Sequence, residues 1–76
     1  MLSDRDAKIL FTLIDAYIDS ASPVPSSHVA RHFRYALSPA TIRTHLASLE
    51  EEGLLEQLHT SSGRVPTEKA VRWYVN

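Results

Sequence analysis

The stretch SPATIRTHLASLEEEGLLEQ, Ser38 to Gln57, carries the signals for one complete helix and the start of a strand. Ser38 is a good N-cap, and Pro39 suits the first helical position, where its missing N–H has no intrahelical partner to lose. Ile42, Leu46 and Leu49 recur at i, i+4 and i+7, which makes one apolar stripe. Gly53 supplies the left-handed residue that commonly stops a helix, and Leu54 and Leu55 resume with strand character. Opposite the stripe stand Ala40, Thr41, Arg43, Thr44, Ala47 and Ser48. A solvated helix face usually carries Glu and Lys. This one is small, hydroxylated and holds a single arginine, which suits close approach to a polar surface such as a DNA groove.

Working outward, Ser3 followed by Asp6 is an imperfect capping box. Ile9, Leu10, Leu13, Ile14, Tyr17 and Ile18 then recur at helical spacing, predicting a structural first helix over about 4–20. Pro23 and Pro25 break the chain between Ala21 and Pro25. Ser26 or Ser27 can cap a short second helix through about Phe33, with Val29, Ala30 and Phe33 inward. Arg34 to Leu37 connects it to Ser38. A short helix, a tight connection and a well-capped longer helix form a helix-turn-helix pattern. After Gly53, Leu54 to Leu58 reads as a strand, residues 59–64 as a polar loop, and Val65 as a return strand that Pro66 ends. A hairpin with a basic tip directly after such a helix is a wing. Thr67 can cap a last helix over Glu68 to about Val75, with Val71 and Tyr74 inward. The expected fold is mainly α: a winged helix-turn-helix, with a three-helix core, a short β-hairpin wing and a C-terminal helix, in one domain over 1–76.

Seventy-six residues suffice for a core of three or four helices but not for a deep enzyme cleft. The chain has no cysteine, so disulfides and thiolate metal sites are excluded. No apolar run reaches the roughly 18 residues of a membrane span, and no signal-peptide pattern opens the chain, which makes a cytoplasmic address the default. The net charge of −1 argues at first against nucleic acid. Its distribution argues otherwise. Residues 27–49 carry Arg31, Arg34 and Arg43 with no acid, together with His28, His32 and His45, whereas residues 50–59 carry Glu50, Glu51, Glu52 and Glu56 with no Lys or Arg. Arg64, Lys69 and Arg72 restore positive charge near the C-terminus.

These residues together resemble the N-terminal winged-helix domain of the HrcA family of bacterial heat-inducible transcription repressors. The similarity runs from LSDRDAKIL (Leu2–Leu10) to VRWYV (Val71–Val75). It is most specific in SPATIR (Ser38–Arg43), LEEEGLLEQ (Leu49–Gln57) and HTSSGRVPT (His59–Thr67). The resemblance implies a repressor that binds an inverted-repeat operator upstream of chaperone genes as a homodimer. It also implies further dimerisation and regulatory regions beyond the equivalent of Asn76. The family commonly has Asn and Glu where this chain has Thr44 and His45, and Gly-Ser-basic where it has Pro25-Ser26-Ser27.

The expected mode places a recognition helix, about 39–52, in the major groove and a wing, about 59–65, on the flanking groove or backbone. Arg43 can reach guanine O6 and N7 or clamp a phosphate, with an ion pair to Glu50 as the ordinary alternative. Thr41 and Thr44 suit a thymine methyl or a phosphate. Ser26, Ser27 and Ser38 offer hydroxyls at helix starts, and His28, His32 and His45 add partial positive charge near the DNA below their unperturbed pKa of about 6.5. Ser61, Ser62 and Arg64 suit the backbone or minor groove. His28 and His32 have metal-ligand spacing but no H-E-x-x-H context and no evident third ligand, so no metal or other cofactor is expected. No catalytic constellation stands out. The alternative is a winged-helix module that binds protein through Trp73 and Tyr74.

Overall fold

Ile9, Leu10, Leu13 and Ile14 are fully buried, and the first helix is built around them. The computed structural model describes residues 2–58 and 63–76. Its elements run α1 (Asp4–Ser20), α2 (Ser26–His32), α3 (Pro39–Glu51), β1 (Leu55–Gln57), β2 (Arg64–Pro66) and α4 (Glu68–Val75). The expected wing tip, His59 to Ser62, and with it the site residues Ser61 and Ser62, lie outside the described residues.

Ser3 Oγ accepts from the Asp6 N–H at 3.1 Å and starts α1. The helix ends on Ala21 at φ 55°, whose N–H bonds the Tyr17 carbonyl at 2.7 Å. Ile18 was expected in the stripe but is 60% exposed. At about 100° per residue it lies roughly 110° round from the centre of the buried set. Pro25, without a side-chain hydrogen bond, occupies the N-cap of α2. Ser26 and Ser27 are therefore its first helical residues and not its cap, because the Pro25 carbonyl already takes the His28 N–H at 3.0 Å.

The turn between α2 and α3 uses two consecutive left-handed residues, Arg34 (φ 54°) and Tyr35 (φ 61°), and the Tyr35 N–H reaches back to the Ala30 carbonyl at 2.9 Å. Ser38 caps α3 by accepting from the Thr41 N–H at 3.1 Å. Gly53, at φ 78°, turns the chain out of it.

β1 and β2 pair antiparallel in the register Leu55–Pro66, Glu56–Val65 and Gln57–Arg64. Val24 adds a third strand position: its N–H and carbonyl each bond Arg64 backbone at 2.9 Å. The proline-bounded break thus ties the wing to the helical core. Gly63 sits under this bridge. A Cβ there would stand 2.8 Å from Pro23 C and Cβ and 3.0 Å from Val24 N.

Thr67 Oγ1 accepts from the Ala70 N–H at 3.3 Å and donates to the Gly53 carbonyl at 2.7 Å, fastening α4 to the end of α3. Ala70 is buried and Trp73 and Tyr74 pack against the core, but Val71, expected inward, is 42% exposed. It lies roughly 110° from the inward set on a 100° wheel. Tyr74 stacks at 4.9 Å on Phe11 and donates to Asp15 Oδ1 at 3.3 Å. Desolvation, followed by the Asp15 charge, raises its phenol above the ordinary value of 10.0.

Gly63→Ala should lower stability by about 1–3 kcal/mol, the usual cost of overpacking a site that cannot give. Gly53→Ala has no atom within 4 Å of its new Cβ and should lose only the left-handed backbone term of about 1–2 kcal/mol. Thermal melts of the two variants check this, and a Gly63→Ala melt equal to wild type would refute the close approach.

Candidate nucleic-acid interface

The rotation of α3 about its axis decides what it presents. Ile42, Leu46 and Leu49 have no exposed surface, which turns Ala40, Thr41, Arg43, Thr44, Ala47 and Ser48 outward. Two polar contacts hold the flanks of the helix. On one, His45 Nδ1 lies 2.8 Å from Asp6 Oδ1 at the start of α1. On the other, Glu50 Oε1 accepts from Arg64 Nε in β2 at 3.1 Å. Five residues apart, His45 and Glu50 stand about 140° from each other around the helix, and the exposed strip lies between them.

The expected site residues fare differently. Arg43 is exposed and makes no hydrogen bond or ion pair among the described residues, so its guanidinium is available to a ligand. The Glu50 partner considered for it is taken by Arg64. Ser38 Oγ donates to Thr41 Oγ1 at 3.0 Å while accepting the Thr41 N–H, so its hydroxyl is committed to the cap. Thr41 keeps its own hydroxyl proton for an outside acceptor. Thr44 donates to the Ala40 carbonyl at 3.2 Å, leaving its methyl and its oxygen lone pairs outward. Ser26 is half-buried, Ser27 is exposed, and neither hydroxyl is hydrogen-bonded among the described residues. α2 packs directly on α3, which joins these serines to the same half of the molecule.

Arg64, expected in the polar loop and at the DNA backbone or minor groove, is instead the first residue of β2 and 8% exposed, with its backbone on Val24 and its side chain on Glu50. The arginine locks the wing against the recognition helix. His45 is likewise directed partly inward, since Asp6 occupies its Nδ1. Neither contact has a sequence signal, because the partners are 14 and 39 residues apart.

His28 and His32 line a cleft of about 260 Å³ with Asp15 and Asp19, but among the described residues no three His, Cys, Asp or Glu side chains are grouped to hold a metal ion. Among the same residues no helix is long and apolar enough to cross a membrane. Trp73 and Tyr74, the interface of the protein-binding alternative, are partly buried against the core.

A two-helix turn unit, a capped recognition helix and an antiparallel wing tied back to the core define a winged helix-turn-helix domain. A crystal structure described as that of a hypothetical protein at 2.2 Å resolution superposes with a TM-score of 0.90 at 40% identity, covering 97% of this chain and 23% of that one. The family model for the winged helix-turn-helix transcription repressor HrcA, DNA-binding, matches residues 1–75. Heat-inducible transcription repressors HrcA from Chlorobium chlorochromatii and Lysinibacillus sphaericus are each 51% identical, over 75 and 76 residues. The chain belongs to the HrcA DNA-binding family. That family is one of transcription repressors, not of enzymes. The chain spans 22% of the length of each of these two relatives.

Arg64→Ala should reduce stability by about 1–3 kcal/mol, since it strips a buried charged hydrogen bond and its packing. Arg43→Ala, at an exposed position, should stay within about 0.5 kcal/mol of wild type. Denaturant titration of both variants distinguishes them; equal stabilities would return Arg64 to the role of a free wing cation.

Proposed function

We propose that α3 enters the major groove of double-stranded DNA and that its exposed strip reads one half of an inverted-repeat operator. The observation that carries this is the strip itself: small and hydroxylated, free of acid between Ala40 and Ser48, and bearing Arg43, which has no partner among the described residues. Small side chains let the helix backbone sit close to base edges. Arg43 is then the residue for guanine O6 and N7, or for a phosphate next to them. Thr41 contributes a donor and Thr44 a methyl, suited to a phosphate oxygen and a thymine respectively. Ser26 and Ser27 supply hydroxyls to the backbone of one strand, and the half-buried His45 stands at the edge of the strip.

The wing acts from the other side of α3. With Arg64 committed to Glu50, backbone contact there falls to Ser61 and Ser62, as the sequence leads one to expect. In the longer relatives' context, two such domains would face successive half-sites about one helical turn apart as a homodimer, and occupancy of the operator would repress the adjoining heat-shock or chaperone gene.

Fluorescence anisotropy on a duplex carrying the inverted repeat and on a scrambled duplex, at two salt concentrations, tests this reading. Binding should favour the repeat and weaken steeply with salt. Arg43→Ala should lose about 1–3 kcal/mol of specific binding and relax preference at one base position. An Arg43→Ala variant with wild-type affinity and wild-type preference would remove it from the base-reading role.

A further inference from the structure

We propose that Arg5 and Lys8, at the start of α1, bind the DNA phosphate backbone beside the recognition helix, so that α1 is part of the interface as well as of the core. This rests on the reading of α3 as the DNA-facing helix. The first observation is where charge goes unspent. Of the eight Lys and Arg residues, Arg64 is held by Glu50, Arg72 by Glu68 at 3.4 Å, and Lys69 by the Glu52 carbonyl at 3.0 Å. The side chains of Arg5, Lys8, Arg31, Arg34 and Arg43 make no hydrogen bond or ion pair among the described residues. Cations with a partner thus lie in the wing and α4, and available ones lie on α1 and the helix-turn-helix.

The second observation is position. The Asp6–His45 contact brings the first turn of α1 to the flank of α3 that carries Thr41 and Ser48, opposite the flank held by the wing. Arg5 and Lys8 are exposed, and together with Asp4, Phe33, Ala36 and Leu37 they line a cavity of about 420 Å³ at the turn that leads into Ser38. They therefore stand at the turn that leads into the recognition helix. Asp4 is the one carboxylate lining that cavity, and Asp6 is turned toward His45.

The third consideration is chemical. At the rim of the strip, set back from the helix that reads the bases, long cationic side chains meet the sugar–phosphate backbone and not base edges. Arg5 suits two-pronged contact with a phosphate, and Lys8 acts as a compact point charge. With Arg64 withdrawn into an internal pair, this flank adds to the electrostatic term that Arg31, Arg34 and Arg43 offer in a chain of net charge −1.

The test compares wild type, the double variant Arg5→Gln/Lys8→Gln, and Arg43→Ala, using fluorescein-labelled repeat and scrambled duplexes of about two helical turns across a salt series. The double variant should keep its thermal midpoint, bind both duplexes about tenfold or more weaker near 0.1 M salt, and keep the ratio between them. Its slope of log affinity against log salt should be shallower by about 1.8, two phosphate contacts at 0.9 each. A double variant with the wild-type slope, while Arg43→Ala still alters the ratio, would overturn this proposal alone. Wild type without salt-dependent binding would overturn the DNA reading and this proposal with it. Wild-type binding to duplex with loss of the double variant's thermal midpoint would place Arg5 and Lys8 in the core's support and also overturn the proposal.

Discussion

Burial of Ile42, Leu46 and Leu49 is the constraint from which the rest follows. All three are wholly removed from solvent, and each such side chain contributes about 1.5–3 kcal/mol relative to exposure. Turning α3 by a single residue, about 100°, would break that burial and bring half-buried His45 or Glu50 toward the apolar interior. The rotation of the helix is therefore fixed by packing. The small and hydroxylated residues, with Arg43, are the ones this rotation leaves outward, and they form the surface proposed to read DNA.

Polar contacts refine what packing sets. Asp6–His45 and Arg64–Glu50 grip opposite flanks of α3 and connect it to two distant parts of the chain. Through Arg64 the same residue also joins the Val24 bridge, so helix, wing and the segment before α2 share one node. Gly63 lets the chains approach closely enough for that node to form. An arginine at this place has a different value from one on the surface. It spends its charge on architecture, and the cations left for a polyanion are those of the helix-turn-helix half.

Much of this was legible in the sequence, for reasons that can be named. α3 carried its start signals in Ser38 and Pro39 and its stop in Gly53, and a strict apolar period settled its outer face residue by residue. The bounds of α1 and α4 followed from Ser3 and Thr67 in the same way. What escaped depended on partners far along the chain. A one-residue strand at Val24, hidden between two prolines, has no period to detect. Arg64 read as part of the loop because the residues before it are polar, while its partner Glu50 comes from the preceding helix. Arg34 and Tyr35 adopt left-handed conformations without a glycine to announce them. Ile18 and Val71 were placed inward by apolar character, and the helical wheel overruled it.

The central claim is that the strip from Ala40 to Ser48 is the surface that meets DNA. The most direct measurement is a two-dimensional amide NMR titration of the chain with a repeat-bearing duplex at low salt. Shift changes should concentrate in Ala40 to Ser48 and at Ser26 and Ser27, and leave Val71 to Val75 nearly unmoved. Changes confined to α4 and the exposed side of α1 around Phe11 and Ile18, with α3 silent, would contradict the account.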